Sequence, residues 1–429
     1  MTAPDPSNGP DHRRARWSWR DTAVVAAIIA TGVGAAWALP HDTPDITPES
    51  GVEPSDHVTE PVTYPVDIPG CDEVGPPPGP GRNVYWAPYG PAREGYDDPA
   101  YPWLTAAKAT AMSDALAAAI PDDVEIRFGA PNRMLQFQPV WHVDPEGLPE
   151  DVDPASVNGD SDATGFLTRP GASGRLRVAV REEHSGVPPC VAGRLDERRS
   201  LPDGTVVDAV DTWSEDDGIR TLKRTAVAYA PDGSRVSVRV DDETGYGEDA
   251  RSGALPMTVD ELATIAADPG LRSGTAVPAG TAPARPGCGE WVEPMGGVLS
   301  RDDVNRLDGA LTAAWAGLGP VAVTPDRPIG SLTLARSSSG AACVDVSLTG
   351  SGAPAELSVT LSEDTSAPEE WTDDHVRDDG TRVRSSVHDD ATYVTAVRPS
   401  GTSVELTQTG PGLTVDQLVA LATATGLDL

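Results

Sequence analysis

Lysine is nearly missing from this chain. Among 32 basic residues only Lys108 and Lys223 are lysines, and 66 acidic residues leave a formal charge of −34. A surface so poor in positive charge repels phosphate backbones, which argues against nucleic-acid binding. It suits a solvated surface, or one that attracts basic partners. Aromatic residues make up 5% of the chain, against 43 Gly and 42 Pro, so loops, turns and linkers should surround modest cores. The familiar catalytic signatures are missing too. No pair of the seven His is spaced as H-E-x-x-H, and there is no G-x-S-x-G elbow, P-loop or S-x-x-K with its companion motifs. The four Cys lack the close C-x-x-C spacing of a zinc site. No catalytic residue and no cofactor is therefore expected.

One long uncharged run is present, at residues 22–39 (TAVVAAIIATGVGAAWAL). As a helix it would rise roughly 27 Å at ~1.5 Å per residue, close to the ~30 Å of a bilayer core. Arg13, Arg14, Arg16 and Arg20 precede it, and residues 41–81 contain no Lys or Arg. The positive-inside rule then places residues 1–21 in the cytoplasm and the bulk of the chain outside. Trp17, Trp19 and Trp37 stand near the ends of the span, where indoles favour headgroups. Ala36-Trp37-Ala38 leaves a cleaved signal peptide as an alternative.

Residues 40–69 form an acidic, Pro-punctuated tether without apolar periodicity. A second linker, residues 273–286, is rich in Ala, Gly, Pro and Thr. Landmarks recur in order on either side of it, which predicts one lobe at 70–272 and its repeat at 287–429. Pro69-Gly70-Cys71 matches Pro286-Gly287-Cys288. A helix at 104–120 aligns with one at 299–315, setting Met112 against Leu307 and Leu116 against Leu311, with Thr105 and Ser300 as N-caps. Short strands follow at 124–126 and 321–323. Asp203-Gly204-Thr205 matches Asp379-Gly380-Thr381 as a turn before a strand. Thr258 with Glu261, and Thr414 with Gln417, are capping boxes that open a closing helix in each lobe. The expected fold is α+β: one N-terminal transmembrane helix plus two repeated lobes, each an antiparallel sheet of about five strands with two flanking helices.

The same order predicts the disulfides. Each lobe has one Cys at its start and one in the middle of its sheet, so Cys71–Cys190 and Cys288–Cys343 are the natural pairs, suited to an oxidising compartment.

Three segments bear on ligands. In residues 151–162 (DVDPASVNGDSD), Asp151, Asp153, Asp160 and Asp162 crowd a loop as hard-cation ligands would, although the spacing is not that of an EF-hand and the loop reads equally as a solvated insertion. Residues 241–249 (DDETGYGED) form a similar acidic loop. The insertion at 76–103 gathers Tyr85, Trp86, Tyr89, Tyr96, Tyr101 and Trp103 among Pro and Gly. Of these, Tyr85, Trp86, Tyr89 and Trp103 are the candidate ligand contacts, for a glycan or peptide, and a local cover over the lobe is the competing reading.

The closing pattern of the first lobe, LPDGT at 201–205, YAPDGSRV at 229–236 and PMTVDEL at 256–262 with IAADP at 265–269, resembles uncharacterised single-pass, membrane-anchored actinobacterial proteins of the Streptomyces kind with a duplicated extracytoplasmic α+β lobe. The resemblance implies a cell-membrane location and supplies no catalytic residue. Read together, the expected function is a non-catalytic binding or sensing module of the cell envelope, with the membrane and an envelope protein or glycan as partners. An envelope enzyme using acidic-loop carboxylates on glycan or peptide is the alternative, and a structural spacer is the second.

Overall fold

A computed structural model describes residues 64–77, 95–140, 159–216, 218–245, 250–285, 287–289, 297–350, 352–363, 375–388 and 390–429. The run at 22–39, most of the tether, Asp151, Asp153, Tyr85, Trp86 and Tyr89 lie outside the described residues. Among the described residues no helix is long and apolar enough to cross a membrane.

The architecture is α+β, with two mainly antiparallel sheets and four helices among the described residues. The elements run β1 (Val74–Gly75), α1 (Ala106–Ala119), β2 (Glu125–Ile126), β3 (Ser161–Arg169), β4 (Ala172–Glu182), β5 (Cys190–Val191), β6 (Glu197–Ser200), β7 (Val206–Asp216), β8 (Ile219–Tyr229), β9 (Ser234–Asp241) and α2 (Val259–Ala267). They continue with α3 (Arg301–Gly317), β10 (Thr324–Pro325), β11 (Thr333–Leu334), β12 (Ala342–Thr349), β13 (Ala355–Glu363), β14 (His375–Val376), β15 (Arg382–His388), β16 (Ala391–Val397), β17 (Thr402–Thr409) and α4 (Val415–Ala422).

The first sheet has the order β2-β3-β4-β9-β8-β7-β6, the second β10-β12-β13-β17-β16-β15-β14 with β11 also on β12. Each therefore holds more strands than the five expected. The strand expected at 124–126 is present as β2, and the extra ones include the short β6, β11 and β14, of four, two and two residues, too short to leave a pattern in sequence. The expected strand at 321–323 falls instead at Thr324–Pro325, where it pairs with the end of β12.

Alternation decides which face each strand buries. On β4, Leu176, Val178 and Val180 point into the core, while Arg175, Arg177 and Arg181 point away. The helices cover the buried face of each sheet, α2 on β7–β9 and α4 on β15–β17. Helix α1 presents Ala109, Met112 and Leu116 to the first core at helical spacing, and α3 presents Val304, Leu307 and Leu311 to the second. Each such large side chain contributes about 1.5–3 kcal/mol by leaving water.

The expected caps and turns are in place. The Thr105 hydroxyl accepts from Lys108 N, and Ser300–Asp303, Thr258–Glu261 and Thr414–Gln417 are reciprocal capping boxes. In the turns before β7 and β15, Asp203 and Asp379 accept from the amides of Thr205 and Thr381 at 3.0 and 2.9 Å. Between them Gly204 and Gly380 take φ of 87° and 82°, a region closed to most side chains.

Residues 273–285 are tied down rather than free. The buried Lys108 ammonium donates to Arg272 O at 2.6 Å and Thr275 O at 2.5 Å, and Ala284 N donates to Ala106 O at 2.8 Å. The same segment meets the second sheet through an Arg285–Asp326 ion pair. Phe128 and Ala130, from the stretch after β2, pack against the second core, with the Arg301 guanidinium 4.6 Å above the Phe128 ring.

Cys71 bonds Cys190 and Cys288 bonds Cys343, the pairs expected from their order. Their placement is less symmetrical than the sequence suggested. Cys343 lies on β12, one strand in from the edge of its sheet, but Cys190 is outside the large sheet, on β5, which pairs in parallel with β1. Nothing in the linear order separates a cysteine on a ladder strand from one in the loop beside it. Two disulfides suit an extracytoplasmic or secreted location.

Candidate functional site

The face of the first sheet that the helices leave open carries the residues that stand out chemically. Arg177 and Arg181 on β4 lie directly opposite Arg239 and Arg235 on β9, with Ala179 and Ser237 paired between them. Two like-charged cross-strand pairs in succession oppose folding locally. In a chain of charge −34 such a concentration of arginine is not a compositional accident. The four side chains, with Asp160, line a depression of about 260 Å³.

Two of these guanidiniums, Arg177 and Arg239, stand at long range from their carboxylates. Arg177 is 3.5 Å from Asp162, Arg181 is 3.8 Å from Asp160 and 3.9 Å from Glu183, and Arg239 is 3.7 Å from Asp241. Several other pairs around the first sheet close to 2.6–2.9 Å, as in Arg198–Asp208, Arg169–Glu261, Arg175–Asp241 and Arg272–Asp203, while Arg220–Glu215 and Arg251–Glu243 stand at 3.4 Å. Arg239 Nε is buried with no hydrogen-bond partner among the described residues. Arg177 and Arg239 keep 59% and 43% of their side-chain surface in solvent, so their planar donor forks can turn to a ligand.

The surrounding electrostatics point the same way. Burial pushes the Asp160 carboxyl up, against the pull of Arg181, Arg235 and Arg177. Glu183 is held below its ordinary range, first by the Ser185 hydroxyl and then by Arg181 and Arg235. Burial lowers the Lys223 ammonium, and the neighbouring Arg239 lowers it further. Burial raises the Tyr229 phenol, against the pull of the Arg235 charge. What this arrangement can do is accept a compact anion, with several guanidiniums donating in parallel.

The second sheet offers a different surface at the matching positions. There Glu363 pairs with Thr402 as Glu182 pairs with Ser234 in the first. Counting along both ladders from those pairs sets Arg177, Arg181, Arg235 and Arg239 against Ser358, Ser362, Ser403 and Thr407. Hydroxyl side chains stand at those ladder positions, Ser403 among them buried rather than on the surface.

No relative explains the difference. The chain matches no protein family, no curated protein and no solved structure.

The residues singled out from sequence fall as follows. Asp160 and Asp162 face the arginines described above, and no group of three or more metal-ligating side chains is assembled among the described residues. In the second acidic loop, Asp241 and Glu243 pair with Arg175, and Asp242 caps Leu222 N at 3.0 Å. Trp103 is half-buried against the first core beside Tyr96 and Tyr101, and Tyr96 donates to Phe137 O at 2.7 Å, which is the covering arrangement. The arginine face does not stand out in a sequence with so large an acidic surplus, because β4 and β9 meet only in the folded ladder. Its signal was present: Arg175, Arg177 and Arg181 alternate with Leu176, Val178 and Val180, and Arg235 and Arg239 with Val236, Val238 and Val240.

Proposed function

We propose that this protein is a non-catalytic binding module of the cell envelope that captures an anionic group on the arginine face of its first sheet. In this reading the chain is anchored by residues 22–39 with its N-terminus in the cytoplasm, and its outer part is two copies of one α+β lobe. The shared strand order, the matched turns and the four helix caps support the duplication. The flanking charges and the two disulfides support the topology, as does the resemblance to membrane-anchored actinobacterial proteins. After duplication one copy would have kept or acquired the guanidiniums, and the other carries Ser358, Ser362, the buried Ser403 and Thr407 in their place.

The observation that carries the reading is the pair of cross-strand Arg–Arg contacts, because like charges placed opposite one another disfavour the fold unless a ligand uses them. The test is calorimetric titration of the full-length chain with sodium sulfate at low ionic strength, beside a variant with Arg177→Ser, Arg181→Ser, Arg235→Ser and Arg239→Thr. Binding by the parent and none by the variant, with both folded by circular dichroism, is expected. Equal heats from the two proteins would remove the arginine face as the site.

A further inference from the structure

Beside the arginine depression lies a second cavity of about 430 Å³, within the range of small-molecule sites. Its floor is the open face of β7 and β8, where Val210, Val227 and Tyr229 point outward. Its roof is the segment Pro188, Pro189 and Val191. The roof is fastened from several sides. Cys190 bonds Cys71, Val191 pairs with Gly75 through β5 and β1, and the Arg198 guanidinium holds both Asp208 and the Pro188 carbonyl, the latter at 2.8 Å.

Arg235 lines both cavities. The apolar groove therefore ends at the guanidinium that begins the anion site, and Tyr229, the direct partner of Arg235 across the β8–β9 ladder, stands at the junction. A groove with an apolar body and a cationic mouth is complementary to one kind of small molecule. We propose that the ligand is a single-chain amphiphilic anion, its phosphate, sulfate or carboxylate head among Arg177, Arg235 and Arg239 and its alkyl or acyl chain under the Pro188–Val191 roof. The cavity accommodates one short chain, not two. This rests on the anion-binding reading of the same face and deepens it by naming the ligand class.

The roof also accounts for the displaced cysteine. Cys190 lies off the ladder because its disulfide holds the cover of the groove, whereas Cys343 crosslinks a strand of the second sheet.

The test is isothermal titration of the full-length chain, held in nanodiscs of zwitterionic lipid with empty nanodiscs as the blank, using inorganic phosphate, octyl phosphate and octyl glucoside. Octyl phosphate is expected to bind at least tenfold more tightly than phosphate, and octyl glucoside at least tenfold more weakly than octyl phosphate. A variant with Val210→Trp and Val227→Trp, both on the open face and outside the core, should bring octyl phosphate back to the affinity of phosphate without changing phosphate itself. Phosphate binding with no gain from the octyl chain would overturn this inference and leave the anion reading standing. Failure of both anions would overturn the two together. Octyl glucoside binding as tightly as octyl phosphate, or a chain gain that survives both tryptophans, would also overturn the inference.

Discussion

Arg177 on β4 and Arg239 on β9 are direct partners across an antiparallel ladder, both turned to solvent. Two guanidiniums so placed repel each other, and the carboxylates nearest them, Asp162 and Asp241, stand 3.5 and 3.7 Å away. Replacing Arg239 with Thr, the residue type at the matching place in the second sheet, should raise stability by a few tenths to about 1 kcal/mol. Sulfate affinity should fall in the same variant. Denaturant unfolding and calorimetry on one preparation measure both. An Arg239→Thr protein that is less stable and binds normally would show that Arg239 serves the fold rather than a ligand.

Asp160 makes the site sensitive to pH. Burial raises its pKa, so it takes up a proton at a higher pH than an exposed aspartate, and its negative charge then disappears from beside Arg181. Sulfate, whose charge is constant over the range, should bind more tightly as pH falls through the weakly acidic region. Asp160→Asn should bind at neutral pH as the parent does in acid, with a flatter profile. A carboxyl with a raised folded pKa weakens the fold above that pKa, so the same variant should be at least as stable as the parent at pH 7.

Asp203 titrates in the opposite sense. The Arg272 guanidinium, helped by the Thr205 amide and hydroxyl, holds its pKa down to about 2. Its contribution to stability is therefore full above the ordinary aspartate range of about 4 and is lost as pH drops from about 4 to about 2. Asp203→Asn should remove that part of the acid dependence, read as a smaller fall in melting temperature between pH 5 and pH 2.5. An unchanged acid limb would mean the Arg272 contact does not persist in solution.

The two disulfides should behave differently when removed. They span sequence separations of 119 and 55 residues, for which chain entropy gives about 5 and about 4 kcal/mol as upper values. Both double Cys→Ala variants should melt earlier by comparable amounts. Only loss of Cys71–Cys190 should weaken octyl phosphate binding, since only that bond fastens the groove's roof.

Lys108 is the structural counterpart to the arginine face, a cation spent inside the molecule. Replacing it with Met leaves the carbonyls of Arg272 and Thr275 without their donor and should destabilise by about 1–3 kcal/mol in urea unfolding. Ligand affinity should not move, because Lys108 lies on the helix side of the sheet.

Much of this architecture was legible in the sequence wherever local chemistry decided it. Thr105, Thr258, Ser300 and Thr414 announced helix starts through their side-chain oxygens, and Asp203-Gly204 and Asp379-Gly380 announced turns through a left-handed glycine. The pairing of Cys71 with Cys190 was also readable, but not its place, because a disulfide's position in a sheet depends on long-range pairing. The site was half legible. The Arg–Val alternation of β4 and β9 could be read strand by strand, yet these strands are far apart in sequence and meet only in the folded ladder. The apolar groove was not legible at all, since its roof is fixed by a disulfide to Cys71 and by Arg198, which bridges Pro188 O to Asp208 on the floor, contacts between segments far apart in sequence.

The central claim is tested most directly by following the Nε–H resonances of the arginine side chains while the full-length chain is titrated with sulfate, assigning them through single substitutions. The account predicts saturable shifts concentrated on Arg177, Arg181, Arg235 and Arg239, with Arg169, Arg198 and Arg272, already closed on carboxylates, left in place. Shifts spread evenly over all the arginines, or none at the four, would contradict it.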